Sequence, residues 1–177
     1  MKTYLTYGFI MTLAGAFVNL GLHFSGFYAD PEKLKMAQNI GIITGLAITI
    51  TGVLLGMRDK RAGTPADKPW GYGSALGTGV MIGLFSCILS AFYNYAYFAF
   101  INPDFTEIVV EAQLAAMEAK NIPAAHIDGA EPMIRKFSSP GVMTVMGMIM
   151  GFLWTVVISL VVAAFVKNRP AGTAVAA

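Results

Sequence analysis

The chain has 177 residues, of which 56% are hydrophobic and only 12% are charged, and its formal net charge at pH 7 is +2. An average soluble domain is about 45–50% apolar and about 25% charged. The missing charge is missing in blocks: no Asp, Glu, Lys or Arg occurs in residues 3–29, 36–57, 69–103 or 137–166. A helix needs about 20 mostly apolar residues to cross the hydrocarbon of a bilayer, so each block fits one crossing. The composition therefore argues against a soluble domain and predicts a polytopic membrane protein.

The spans are predicted to be helices, because hydrocarbon offers no partner for backbone N–H and C=O groups and the blocks lack the alternation of barrel strands. We expect an all-α fold, a four-helix transmembrane bundle that forms one domain over residues 1–170. The predicted spans are residues 4–24, 38–57, 74–100 and 140–166. The first apolar run is longer than the core of a typical signal peptide, so we expect it to be retained. Residues 171–177 are expected to be a disordered tail.

The orientation of the spans follows from the lysines and arginines of the short loops. One side of the membrane receives seven of them, namely Lys2, Arg58, Lys60, Arg61, Lys68, Lys167 and Arg169. The other side receives five, namely Lys33, Lys35, Lys120, Arg135 and Lys136. The richer side is predicted to be cytoplasmic, which places both termini in the cytoplasm.

The outer loop between the third and fourth spans, residues 101–139, is the only sizeable segment outside the predicted spans. Apolar residues recur there at helical spacing, which predicts an amphipathic helix over residues 104–120. Asp104 and Glu107 stand in the first and fourth places of an acidic capping box. Asn121 is suited to the left-handed conformation that ends a helix. We expect this helix to lie on the outer membrane surface or to cap the bundle.

A shorter helix is predicted at residues 131–137, after which Ser139 is expected to cap the last span with Pro140 in its first turn. Acidic side chains share one side of the longer loop helix, at Glu107, Glu111 and Glu118. A cation site is one interpretation of that pattern, and a solvated face is the interpretation that we favour.

Glycines recur four residues apart in three of the spans. The pairs are Gly41 and Gly45, Gly52 and Gly56, Gly73 and Gly77, Gly79 and Gly83, and Gly147 and Gly151. Lipid tails are as apolar as leucine, so membrane helices associate by close packing, and glycine lets two backbones approach. The pattern predicts packing within the bundle, and homodimerisation through one glycine face is the alternative.

Two spans carry polar stripes that match in depth. The stripe of the third span consists of Gly79, Gly83, Ser86, Ser90, Tyr93, Asn94 and Tyr97. The stripe of the first span consists of Gly8, Thr12, Gly15, Asn19 and His23. Polar side chains in hydrocarbon are costly unless they find partners or water. The stripes should therefore face each other, either as interhelical hydrogen bonds or as the lining of an outward-opening polar vestibule.

Several classes of function find no support in the residues. The predicted spans hold no Asp, Glu, Lys or Arg, which argues against a proton-coupled pump that uses a buried carboxylate. His23 has no second ligand at metal-binding spacing, and no nucleophile with its base or phosphate-binding loop is visible. We expect no catalytic residues, no metal, no cofactor and no nucleic-acid partner.

The second half of the chain resembles a known family. The resembling pieces are Phe92-Tyr93-Asn94-Tyr95, Asn102-Pro103-Asp104-Phe105, the acidic helix from Glu107 to Lys120, Ser139-Pro140-Gly141 and the last span ending at Ala164. They are similar to the bacterial membrane proteins of domain-of-unknown-function family 4199, and the four-span layout matches as well. Residues 70–75 depart from the pattern expected for that family. The resemblance implies a location in the bacterial inner membrane and implies no activity.

Two functions remain as hypotheses. The first is a non-enzymatic membrane protein that interacts with another membrane protein or with itself, as the glycine faces indicate. The second is a small channel or carrier for a neutral or weakly polar solute, which would use the polar vestibule. The bilayer is the expected partner in both cases.

Overall fold

The computed structural model describes residues 1–29, 31–65 and 67–167, and this part of the chain is helical with short connections. Its elements are α1 (Lys2–Phe24), α2 (Pro31–Ala62), α3 (Tyr72–Ala96), a π-helical turn that continues α3 (Tyr97–Ile101), α4 (Phe105–Glu118), α5 (Ala124–Phe137) and α6 (Pro140–Val166). The all-α prediction is confirmed. Four helices, α1, α2, α3 with its π-helical turn, and α6, are long and apolar enough to span a membrane. The predicted tail at residues 171–177 lies outside the described residues.

Helix α2 begins at Pro31, seven residues before the predicted residue 38. The charge-free block locates the part of a helix that lies in hydrocarbon, and a helix can extend beyond it. The extension is fixed by packing, because Leu34 and Ala37 are buried where α2 contacts α4. Proline suits this place, since the first residue of a helix needs no N–H.

The outer loop folds into a hairpin of two helices, α4 and α5. Asn121 adopts a left-handed conformation with φ of 56°, as predicted, and separates the two. Helix α5 begins at Ala124, however, so the predicted start at residue 131 is wrong. Gly129 and Pro132 lower the helix propensity of this segment, but Ile127 is buried, while Met133 and Phe137 stay exposed. Tertiary packing thus overrides the local signal.

The predicted capping box at the start of α4 does not form. Asp104 occupies the N-cap position with helical dihedral angles, φ −77° and ψ −6°, and its side chain accepts no capping hydrogen bond. An N-cap side chain reaches the helix N–H groups from an extended backbone, which Asp104 lacks. The carboxylate of Glu107 instead accepts a hydrogen bond from Arg135 Nη1. The other guanidinium nitrogen, Arg135 Nη2, donates to Glu131 Oε1 at 3.1 Å. These carboxylates raise the pKa of Arg135 and tie α4 to α5.

The four long helices pack against one another and are called the bundle below. Helix α3 contacts α1 and α6, and α2 contacts α1, α6 and α3. We call the end where α1 begins and α6 ends the basic end, and the opposite end, which carries α4 and α5, the loop end. The described basic residues at the basic end are Lys2, Arg58, Lys60, Arg61, Lys68 and Lys167.

The apolar core lies in the half of the bundle nearer the basic end. Val53 and Met57 of α2, Ile82 of α3 and Ala163 of α6 are buried there with Trp70 of the α2–α3 connection. Large apolar side chains on the outer face of the long helices remain exposed, for example Phe17, Ile42, Ile43, Phe92 and Phe165. An apolar exterior of this kind fits a hydrocarbon solvent.

Close contacts between helices in this half are made at glycines. A Cβ atom added to any of four glycines would overlap a side chain of a neighbouring helix. The overlaps are Gly52 with Met11, Gly56 with Ile82, Gly79 with Met57 and Ser159, and Gly83 with Thr155. At the α1–α3 contact, a Cβ on Gly8 would lie 3.0 Å from the backbone nitrogen of Ser86. Two of the predicted glycine pairs are therefore filled by this chain's own side chains.

We predict opposite effects of alanine at Gly83 and at Gly45. The Cβ at Gly83 would displace Thr155 and should lower the free energy of unfolding by about 1–3 kcal/mol, as overpacking does elsewhere. No heavy atom lies within 4 Å of a Cβ at Gly45, so Gly45→Ala should gain about 0.5–1 kcal/mol of helix stability. Unfolding in detergent measures both. Equal midpoints for the two variants would contradict the packing described above.

Candidate functional site

The two polar stripes meet along the α1–α3 contact. In the middle of the bundle, Thr12 Oγ1 donates to the backbone oxygen of Gly8 at 3.0 Å and lies 3.2 Å from both Ser86 O and Ser90 Oγ. The hydroxyls of this stretch therefore bond locally and leave no room between the helices. The polar groups that follow, toward the loop end, form a cluster of larger side chains.

Asn19 is the first member of this polar cluster. Tyr93 Oη donates to Asn19 Oδ1 at 2.9 Å and lies 3.4 Å from the backbone oxygen of Ala16. Asn19 Nδ2 in turn donates to Tyr28 Oη at 3.3 Å. Tyr28 belongs to the α1–α2 connection, where burial raises the pKa of its phenol and the bond from Asn19 offsets part of that rise. The amide thus joins three segments of the chain.

Tyr97 is the centre of the polar cluster, with 1% of its surface exposed. Its hydroxyl lies 3.1 Å from Nδ1 of His23 and accepts a hydrogen bond from Nδ2 of Asn102 at 3.2 Å. The direction of the Tyr97–His23 hydrogen bond depends on which ring nitrogen of His23 carries the proton. The π-helical turn starts at Tyr97, and Asn102 N closes it on Tyr97 O at 2.8 Å.

Aromatic rings cover the polar cluster at the loop end. The ring of Tyr28 packs edge-on against Tyr97 and Phe105, with centroids 6.3 and 5.4 Å away. Phe98 stacks on Phe105 at 5.2 Å, and His23 packs edge-on against Tyr97 at 5.7 Å. Among the described residues, these polar groups therefore bond to one another under a cover of aromatic rings, and the outward-opening vestibule stays a prediction.

Asn94 lies apart from the polar cluster, although it follows Tyr93 directly. Consecutive helical residues point about 100° apart, so Tyr93 faces α1 while Asn94 faces a cavity inside the bundle. This interior cavity has a volume of about 150 Å³. Its polar lining consists of Thr49, Ser86, Cys87, Ser90, Asn94 and Thr155. Within the described part of the chain, the side-chain amide of Asn94 makes no hydrogen bond, so it is open to water or to a solute.

A second space separates α1 from α2 toward the loop end. This α1–α2 groove has a volume of about 190 Å³ and is lined by Gly15, Gly41, Thr44 and Gly45, by three aliphatic side chains, and by Asn19 and Tyr28 of the polar cluster. No heavy atom lies within 4 Å of a Cβ placed on Gly15, Gly41 or Gly45. The Thr44 hydroxyl turns inward and donates to the backbone oxygen of Ile40 at 2.7 Å. The groove is therefore smooth and uncharged.

The remaining predicted glycine pairs also differ in what surrounds them. A Cβ on Gly151 would meet only Cys87 Sγ, at 3.8 Å, and Gly147 would meet nothing within 4 Å. Both line the interior cavity. Gly73 and Gly77, also open, line a cavity at the basic end. Equal spacing in sequence thus covers three different environments.

The described residues contain no cluster of metal-binding side chains. No three His, Cys, Asp or Glu side chains there are placed so that they could hold a metal ion. The expectation that this protein has no metal, cofactor or catalytic set stays a prediction.

Sequence reasoning missed two members of the polar cluster, Tyr28 and Asn102. Both lie outside the charge-free helical stripes, where periodicity gives no direction for a side chain. A signal was present in each case: Tyr28 is an aromatic residue in a short polar connection, and Asn102 ends a span with two hydrogen-bond donors. Asn102 is only 7% exposed, which shows how far the end of α3 is covered.

We predict that Tyr97→Phe destabilises the fold. The change leaves Nδ2 of buried Asn102 without its acceptor, and a buried unpaired donor costs about 1–3 kcal/mol. Interhelical hydrogen bonds in membranes average about 0.6 kcal/mol, so we expect a loss of about 1–2 kcal/mol in detergent unfolding. Tyr95→Phe is the matched control, because Tyr95 is 52% exposed. Equal free energies of unfolding for the two variants would contradict a stabilising role of the Tyr97 hydroxyl in the polar cluster.

Comparison with known proteins gives one family match. A family model described as a protein of unknown function (DUF4199) matches residues 6–168. No curated protein and no solved structure matches the chain. The family match covers nearly the whole of α1 and all of α2 through α6, including the polar cluster and both internal spaces. The chain therefore belongs to this family of proteins of unknown function, as the resemblance of its second half predicted.

Proposed function

We propose that this protein is a non-enzymatic membrane interaction protein that associates with a second copy of itself through the α1–α2 groove. One observation carries the proposal: Gly41 and Gly45, four residues apart, face a space that the chain itself leaves unfilled. The pairs Gly52/Gly56 and Gly79/Gly83, by contrast, are occupied by side chains of neighbouring helices. The first pair is thus available for a contact that the single chain does not make.

Physical chemistry favours a helix over lipid as the occupant of the groove. Association in a membrane gains little from hydrophobicity, so it depends on close contact between surfaces that fit. A glycine pair exposes backbone, against which another helix can lie at short distance. In a two-fold symmetric dimer the same patch serves both subunits, so α2 would pack against α2 of the partner at Gly41 and Gly45. The exposed Ile42 and Leu46 beside them would add apolar contact.

A second function, a carrier for a small neutral solute, is supported by the interior cavity. Its volume of about 150 Å³ corresponds to roughly five water molecules at about 30 Å³ each. Its hydroxyls and the unpaired amide of Asn94 offer hydrogen bonds and no charge. The apolar core around Met57 and Ile82 lies between this cavity and the basic end. This arrangement favours a carrier over an open channel.

One experiment separates the two functions. We predict that the wild-type protein self-associates in liposomes with a dependence on protein-to-lipid ratio, measured by energy transfer between labelled copies. The double variant Gly41→Leu/Gly45→Leu should be monomeric at every ratio with an unfolding midpoint no lower than that of the wild-type protein, since its new side chains enter the open groove and leucine favours a helix more than glycine does. Asn94→Leu, which changes only the interior cavity, should keep self-association.

The opposite pattern would overturn the dimer. A wild type that is monomeric at all ratios, or a double variant that associates equally well, removes the proposed contact. Loss of solute flux in Asn94→Leu, with full flux in the double variant, would instead favour the carrier.

We also propose that the protein lies in a bacterial inner membrane with the basic end in the cytoplasm. Support comes from the excess of lysine and arginine at that end. A cysteine at Asp67 or Gln113, both exposed, can be probed with an impermeant maleimide in a Cys87→Ser background. In intact spheroplasts we expect labelling at position 113 and none at position 67. Labelling at 67 alone would reverse the orientation.

A further inference from the structure

A large cleft lies at the basic end of the bundle. It is a cleft of about 520 Å³ between the end of α2, the α2–α3 connection and the first turns of α3. Its lining includes Lys60, Lys68, Trp70, Gly73 and Ser74. The α1–α2 groove and the interior cavity described above lie elsewhere in the bundle, so this basic cleft plays no part in the proposed dimer contact.

The start of α3 supplies the first set of hydrogen-bond donors. Gly71 occupies the N-cap position and has no side chain to cap the helix. The first N–H bond of the helix runs from Ala75 to Gly71 O, at 3.1 Å, so the N–H groups of Tyr72, Gly73 and Ser74 have no acceptor within the helix. Such a terminus carries a partial positive charge and favours an anion. A Cβ on Gly73 would meet nothing within 4 Å, so a ligand can approach this backbone closely.

Trp70 supplies an independent observation. Its side chain lines the basic cleft and is only 7% exposed, yet its Nε1 has no hydrogen-bond partner in the described residues. A buried tryptophan N–H usually finds an acceptor, because leaving it unpaired in an apolar environment costs free energy. An acceptor supplied from outside the chain would satisfy this orphaned donor.

The charge of the basic cleft specifies the kind of acceptor. Two lysines, Lys60 and Lys68, line it, and no described carboxylate does. Lys60 Nζ lies 5.4 Å from the centre of the Tyr4 ring, which holds the ammonium group at the wall. Asp67 is exposed and lies outside the lining. Ammonium groups, helix N–H groups and an indole N–H are all donors, so the matching ligand is an anion with several acceptor oxygens.

The position of the basic cleft in the bundle further restricts the chemical class of the ligand. The cleft opens where the apolar helices α2 and α3 meet their connection, so in a bilayer we expect it to lie at the level of the lipid headgroups. Gly77 and Met81, one and two turns farther along α3, continue its wall into the apolar part of the helix. A ligand that follows this wall has a phosphate at one end and a hydrocarbon chain at the other.

We propose that the basic cleft binds the phosphate of an anionic phospholipid. Lys60 and Lys68 provide the countercharge, the open N-terminus of α3 and Trp70 Nε1 donate to the phosphate oxygens, and Gly77 and Met81 contact the first part of the acyl chain. Soluble phosphate shares the headgroup chemistry but not the acyl contact, so the two ligand sources can be separated by experiment.

The test uses the full chain in detergent with Trp154→Phe, which leaves Trp70 as the reporter. Phosphatidylglycerol, phosphatidylcholine, glycerol 3-phosphate and inorganic phosphate are titrated in turn, with Trp70 fluorescence and native mass spectrometry as readouts. We expect saturable binding of phosphatidylglycerol. Phosphatidylcholine has the same phosphate charge, but its choline cation is repelled by the two lysines of the cleft, so it should bind about tenfold more weakly.

Charge variants supply the decisive comparison. Lys60→Gln/Lys68→Gln should weaken phosphatidylglycerol binding by about tenfold or more, because hydrogen bonds to charged groups are the strong ones. Arg58→Gln/Lys167→Gln removes the same charge from the same end but from outside the cleft, and should bind like the parent. Trp70→Phe, followed by mass spectrometry, should weaken binding severalfold.

Three results would overturn the proposal. The first is an equal loss of affinity in both double variants, which would mean general attraction to a basic surface. The second is equal binding of phosphatidylglycerol and phosphatidylcholine. The third is saturation by inorganic phosphate at the same concentration as by lipid, which would make the ligand a soluble anion.

Discussion

Close contact between backbones at the basic end is the constraint on which the rest of this structure depends. In hydrocarbon, helices gain little by hiding apolar surface, so they hold together where small residues let them touch. Gly79 and Gly83 provide this contact between α3 and α6, with Ser159 and Thr155 seated against them. Gly52 and Gly56 provide it for α2. Because these four positions have no space for even one more carbon, they set the spacing of the helices, and the apolar core fills in around them.

The loop end is held together by a different interaction. Helices α1 and α3 stay in contact over their whole length, first through Gly8 and Thr12 and then through the hydrogen bonds of Asn19 and His23. Hydrocarbon cannot satisfy these polar groups, so they bond across the contact under a cover of aromatic rings. Among the described residues, no side-chain hydrogen bond joins α2 to α1. Helix α2 therefore separates from α1 toward the loop end, and this separation creates the α1–α2 groove.

The helices could be predicted from the sequence because bilayer thickness imposes a length on any charge-free segment. The direction in which each side chain faces could not be predicted from the sequence. Gly45 and Gly83 lie in identical motifs, but one faces a groove and the other a threonine, because the rotation of a helix depends on all its neighbours. Asn94 was grouped with Tyr93 by depth, although the 100° step between them sends it into the interior cavity. The capping box at Asp104 failed for a related reason, since Arg135 from another helix captured Glu107.

Trp70 connects the packing of the basic end with its proposed ligand. It belongs to the same apolar cluster as Met57 and Ala75, and it also lines the basic cleft. A ligand that binds only the folded chain stabilises it in proportion to the logarithm of its concentration over its Kd. A phosphate at Trp70 Nε1 would remove a buried unpaired donor from the core itself. Lipid bound in the cleft would thus stiffen the end that glycine contacts already hold, and leave the α1–α2 groove, at the opposite end, free to meet a partner.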